Sequence, residues 1–374
     1  MSFADIIDIN NIIINSTNIT ISNQTITTNI SIQLIKIHEN NNIDNITVKN
    51  CTFEQSAILS LFSNNSLLKT IRIINCDISN VRSLRHMFDN CTNLKVIQFY
   101  RFDTSNITDM GFMFDNCISL EKLVFNSIDE HDYDINNVEF IEHDDNNIYL
   151  NTQNVKHMDY MFANCRNLEY ICTSGLDTHN VINMNSMFAH CDKLRHLNLD
   201  SFSLYNTTDT GYMFFNCEQL QSLELVSHSI HLENMEYMFA NCLSIKYILL
   251  DLNVSNVDNM RGLFGHCESI KEIDISNFEL KYIVNMFEMF AYCDKLEQLV
   301  LPKFDKNSEY TTHAMFESCN SLDEVDLTNL TINEFDSMFM FNNCSEKLKV
   351  YVDRENKRTY ERLYGGYSIE FIEK

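Results

Sequence analysis

The chain has 374 residues, with 27 Lys and Arg against 52 Asp and Glu, a formal charge of −25. Hydrophobic residues at 45% and charged residues at 21% describe a globular chain rather than a disordered one. The acidity argues against sequence-independent binding to nucleic acid and against adhesion to anionic lipid, since both need Lys and Arg.

The first residues, Met1 to Asn10, place Asp5 and Asp8 where a secretory signal needs basic charge. No apolar run approaches the ~18 residues of a membrane-spanning helix. The expectation is an intracellular or virion-associated protein rather than a secreted one, with no membrane insertion. Residues 1–39 alternate Ile with Asn and Thr, as at Ile19 and Ile21, and are expected to form a β cap.

From there the chain repeats. Met-Phe-x-x-Cys ends at Cys91, Cys117, Cys165, Cys191, Cys217, Cys242, Cys293, Cys319 and Cys344, and Leu263-Phe264 leads to Cys267 in the same way. Successive cysteines are 25 or 26 residues apart, except for one step of 48. Weaker copies place Asn65 and Asn40 in the cysteine slot. After Cys91 come Leu94, Ile97, Phe99 and Phe102, and Cys191 and Cys267 are followed likewise. The L-x-L core alternates as a short strand does. Before each cysteine the apolar spacing is three, as at Ile107, Met110 and Met113, which suits a short helix or 3₁₀ turn.

A strand and a turn in ~25 residues cannot bury an apolar face alone, but stacked copies can. The expected fold is therefore an α/β repeat: a leucine-rich-repeat-like curved solenoid, with a parallel sheet on one face and short helices or 3₁₀ turns on the other. About twelve copies span 40–350, and 351–374 forms a C-terminal cap. The long step holds a 22-residue acidic insertion near 129–150, read as a solvated hairpin or decayed repeat. The cysteines should form a column of buried thiols about one strand spacing (~4.8 Å) apart, a geometry poorly suited to disulfides. Without a C-x-x-C pair no zinc site is expected, and no cofactor is implied.

The string from Asp103 through Ser105, Asn106 and Thr108 to Met110, Met113-Phe114 and Cys117 resembles the BspA-type leucine-rich repeat. This is the version found in mycoplasma-type surface proteins and long catalogued as a domain of unknown function. The resemblance covers roughly 40–350. It implies surface or effector proteins of bacteria, parasitic protists and large DNA viruses that bind other proteins, without catalytic residues.

For catalysis the spacing offers a single Cys–His pairing, Cys172 with His196, and no glycine-rich oxyanion loop accompanies it. The expected function is instead a non-enzymatic scaffold that binds a protein through its strand face. The alternative is a structural component of a virion or surface layer. The L-x-L phase points Tyr100, Arg101, Tyr170, His196, Asp200, Glu224, Tyr247, Leu249, Asp251 and Asp274 outward as the partner-binding residues. Tyr and exposed Leu suit a protein partner, and the carboxylates favour a basic one.

Overall fold

The computed structural model describes residues 12–15, 17–30, 43–126, 150–171, 173, 175–280, 284–308, 310–332 and 334–374. The expected insertion and Cys172 lie outside these described residues. The chain divides into two compact units, Met1–Thr178 and His179–Lys374.

In the first unit, Asn18–Ser22, Asn45–Lys49, Thr70–Ile74, Val96–Tyr100 and Lys122–Asn126 pair in parallel in that order. Ile12–Asn15 lies antiparallel on Asn18–Ser22 at the edge. Ile19, Ile46, Ile71, Ile97 and Leu123 form one inward row, and Ile21, Val48, Ile73, Phe99 and Phe125 the next. The rings of Phe99 and Phe125 stack at 4.5 Å. Period-2 alternation thus becomes a buried face, as the L-x-L pattern requires. Four of these strands end at a bend held by a left-handed residue, and Asn23, Asn50 and Asn75 occupy three of these bends. Asn tolerates that conformation better than other side chains. Here its amide also bonds along the stack, Asn75 donating to Asn50 at 2.8 Å.

The second face is built from tight turns. Between Leu61 and Asp353 no described residue is helical, so of the two expected forms the structure takes the 3₁₀-like one. The N–H of Cys91 closes on the carbonyl of Phe88 at 3.1 Å, and that of Cys217 on Phe214 at 3.1 Å. Each of the ten copies that end in cysteine carries two left-handed residues, such as Phe112 (φ 54) with Asn116 (φ 57) and Tyr212 (φ 58) with Asn216 (φ 60). Their N–H groups donate to the neighbouring turn. Phe112 bonds the Asp159 carbonyl at 2.8 Å, and Tyr212 bonds that of Glu236 at 2.7 Å. The turns are therefore stitched to one another by backbone hydrogen bonds, as strands are.

The Met-Phe-x-x-Cys signature explains the interior. In the first unit, Phe62, Phe88, Phe114 and Phe162 stack at 5.2, 5.5 and 5.3 Å. In the second, the column runs from Phe188 to Phe341 at 5.6–5.8 Å. Each such contact adds about 0.5–1.5 kcal/mol beyond burial. The cysteines form the parallel column expected of them. The thiol of Cys117 donates to the Phe88 carbonyl at 3.2 Å, and that of Cys165 to Phe114 at 3.3 Å. Cys242, Cys267, Cys293 and Cys319 repeat this on Phe214, Phe239, Phe264 and Phe290. One Phe carbonyl thus accepts the N–H of its own cysteine and the S–H of the next copy's. The twelve described cysteines are all free thiols.

The tandem string around Asp103 is likewise consumed by the scaffold. Asp103 Oδ1 accepts the Ser105 N–H at 2.9 Å, and Asn154 Nδ2 donates back to the Ser105 carbonyl at 2.8 Å. Asn206 and Asn256 do the same for His179 and Ile230 at 2.8 Å. Across the 48-residue step the turn ladder continues unaltered. Met110 donates to His157 at 2.9 Å, and Phe114 to Met161 at 2.9 Å.

In the second unit, Glu324–Asp326, Lys349–Val352 and Glu370–Glu373 form a parallel sheet. The helix Arg354–Tyr364 turns Tyr360 and Tyr364 inward. Tyr364 packs edge-on against Phe341 at 5.1 Å and closes the aromatic column, while its hydroxyl donates to the Ser337 carbonyl.

Burial pushes the Cys242 and Cys293 thiols up to about 12. The unfolded chain ionises these thiols near pH ~8.5, whereas the folded one holds them neutral. Their contribution to stability is therefore present below that pH and lost as pH rises toward 12. The urea midpoint should fall steadily between about pH 9 and 11, and replacing both cysteines with Ala should flatten the fall. Equilibrium urea denaturation across that range measures it.

Candidate partner-binding face

The outward positions of each strand stand five, seven and nine residues after the cysteine. In the first unit these positions are largely covered. Gln98 is 7% exposed and accepts Arg72 Nε at 2.8 Å. Tyr100 is half-buried, and its phenol is raised by that burial, with Arg72 acting in the opposite sense. Arg101 is exposed but sits at the bend, in the left-handed conformation (φ 48), rather than on the strand. Tyr170 is exposed. It does not flank Tyr100, whose register partner is Asn126.

In the second unit, one strand pair carries Glu224, Tyr247, Leu249 and Asp251 of the predicted residues, and a second pair carries Asp274. Ser222–Ser227 pairs in parallel with Tyr247–Leu252, which sets Leu249 beside Glu224 and Asp251 beside Val226. Tyr247 is 50% exposed, Leu249 40% and Val226 56%. Glu272–Asp274 pairs with Gln298–Val300 and sets Asp274 beside Val300, which is 48% exposed. The inward neighbours Leu223, Leu225, Leu250 and Ile273 are all buried. Parallel pairing therefore assembles an apolar group of Tyr, Leu and Val with carboxylates among them. Sequence reasoning missed Val226 and Val300. Both stand at outward positions of the same phase, so the signal was present in the spacing.

Part of the acidity is committed locally. Asp274 Oδ1 accepts the Ser276 N–H at 2.9 Å, and hydrogen bonds from the Ser276 side chain and backbone hold its carboxyl below the usual range. Asp200 is bridged by Asn198 Nδ2 at 3.1 Å, and Asp251 by Asn277 Nδ2 at 3.3 Å. His196 is exposed. Toward the C-terminal end, Lys374 neutralises Asp326 at 2.6 Å and Tyr351 donates to Glu324 at 3.3 Å. Among the described residues, no helix is long and apolar enough to cross a membrane, and no three His, Cys, Asp or Glu converge as a metal site.

Stacked parallel strands on one face and hydrogen-bonded turns on the other define a repeat solenoid whose side chains vary mainly outside its two columns. The chain belongs to the family described as "Mycoplasma protein of unknown function, DUF285", whose model matches residues 56–144, 141–247 and 233–351. No curated protein matches it. Among solved structures it is similar to the pneumococcal vaccine antigen PcpA, with a TM-score of 0.37 and 13% identity over 88% of this chain and 79% of that one. It is also similar to a chain of the Drosophila Toll–Spatzle complex, with a TM-score of 0.30 and 12% identity over 91% of this chain and 62% of that one.

The alternation makes a sharp demand on adjacent residues. Leu249→Lys, whose cation would stand beside Glu224, should change stability by less than about 0.5 kcal/mol, as surface substitutions do. Leu250→Asp, which buries an unpaired charge, should unfold the unit. Thermal melts followed by circular dichroism distinguish the two.

Proposed function

We propose that this chain is a non-enzymatic scaffold, of the surface or effector kind associated with BspA-type repeats, that binds a protein partner through the strand face of its second unit. The observation that carries this reading is the exposed group of Val226, Tyr247 and Leu249 on two paired parallel strands with Glu224 and Asp251 among them, together with exposed Val300 beside Asp274 on a second strand pair. A preformed sheet presents these side chains with little ordering cost, and Tyr contributes contact area with few rotatable bonds. The carboxylates favour a partner with a basic patch and speed its encounter. Among the described residues, column thiols such as Cys242 and Cys293 are buried and held neutral, which disfavours them as nucleophiles, since a cysteine nucleophile acts as the thiolate.

A photo-crosslinking residue at position 249 in the source cell should capture one protein reproducibly, whereas the same residue at exposed Lys306 should not. With that partner purified, joint replacement of Tyr247 by Ala and Asp274 by Asn should weaken binding at least about 10-fold without lowering the melting temperature. Unchanged affinity would move the interface elsewhere.

A further inference from the structure

Aligning the copies by cysteine brings Phe215, Ala240, Gly265, Ala291 and Glu317 to one position, two residues before the cysteine. The position accepts bulk, as Asp89, Asp115 and Phe215 show. Three small residues in succession leave a trough in the turn face of the second unit, with a volume of about 360 Å³. This is the low end of the range for ligand pockets.

The left-handed residues of the turns supply the walls. Tyr212, Tyr237 and Glu288 stand five before their cysteines, and Asn241, His266 and Tyr292 stand one before. Phe215 closes one end. Between Tyr237 and Glu288 the corresponding residue is Gly262 (φ 57), where a Cβ would lie 2.2 Å from Tyr237 Cε1. The ring of Tyr237 therefore lies over the glycine, and its hydroxyl donates to Glu288 Oε2 at 3.2 Å. Every other copy has a side chain at this place. Opposite, Tyr292 stacks on His266 with centroids 4.4 Å apart.

The Glu288 carboxylate on the lining, which accepts the Tyr237 hydroxyl, gives the trough its sign, and the two phenols respond to it. The Tyr292 phenol is pushed up chiefly by the charge of Glu317, with burial and Glu288 adding to it. The Tyr237 phenol is pushed up by burial and then by Glu288. The same aromatic ladder already carries a cation of its own: the Arg261 guanidinium lies 4.4 Å from the Phe287 ring centroid and 5.5 Å from that of Tyr237.

We propose that this trough binds the side chain of a lysine or arginine of a polypeptide partner, its cation against the exposed ring of Tyr292 and its charge balanced by Glu288. Aromatic faces attract a cation through their quadrupole, and a carboxylate adds a charge-assisted hydrogen bond. An anionic ligand would meet Glu288 and Glu317. A neutral one would take water from Glu288 without replacing it. This site lies on the turn face and is separate from the strand face proposed above.

The test is a peptide-observed NMR titration of the full chain with Gly-Ser-Gly-Lys-Gly-Ser-Gly, capped at both ends, with arginine and norleucine analogues. The lysine or arginine peptide should bind about 10-fold more tightly than the norleucine peptide. Glu288→Gln should remove that difference, and Ala240→Phe, which repeats the side chain of position 215, should abolish binding. Glu346→Gln, at an exposed carboxylate outside both faces' sites, should change nothing. Equal binding of lysine and norleucine peptides would overturn the proposal, as would an unaffected Glu288→Gln protein. So would equal weakening by Glu346→Gln, which would mean diffuse attraction to an acidic surface. If Ala240→Phe fails to fold by circular dichroism, Glu288→Gln decides.

Discussion

Every backbone N–H and C=O taken out of water needs a partner, and a chain that turns as tightly as this one cannot find all of them within a turn. The left-handed residues in each Met-Phe-x-x-Cys segment resolve that constraint. They rotate alternate N–H groups toward the neighbouring copy, as Phe112 and Asn116 do toward Asp159 and Ala163. The Phe carbonyl left facing the interior then receives a thiol. Both faces of the solenoid are thus held by inter-copy hydrogen bonds, and the Phe column fills the space between them.

This arrangement explains why the signature tolerates so little change where it is buried and so much where it is not. Cysteine combines the size of a small hydrophobe with a weak donor. The left-handed positions, in contrast, hold Tyr, Glu, Ala, Ser, His and Phe in different copies. Backbone bonds to neighbouring turns hold that geometry whatever the side chain, and the cost of each left-handed residue falls on the scaffold as a whole. Variation in these residues changes the surface and leaves the fold intact.

The columns and the strand phase were legible in the sequence because they depend on spacing alone. Leu223, Leu225 and Leu250 are buried, and Glu224 and Leu249 exposed, as alternation demands. The first member of each left-handed pair was not legible, since Tyr212 or Glu288 carries none of the glycine or asparagine preference that marks such a backbone, whereas Asn116, Asn216 and Asn241 carry that signal at the second. The site was legible in part. Periodicity placed Tyr247 beside the strand of Glu224, but it could not show that Ser276 engages Asp274 or that Tyr100 is half-buried. The aromatic trough arises from what is missing, namely side-chain bulk at Ala240, Gly265 and Ala291, and a search for reactive residues passes over an absence.

The ladder from Met110 to His157 has the same bonds as its neighbours although 22 more residues intervene than in an ordinary step. The turn ladder therefore accommodates a change in the length of chain that leads to it. Loop closure grows only logarithmically more costly with length, so an extra segment at this joint adds about 1 kcal/mol or less. A lineage built on this plan can acquire a new appendage in one event without first repairing the body that carries it. The same joint in other copies offers a graft point for a foreign sequence.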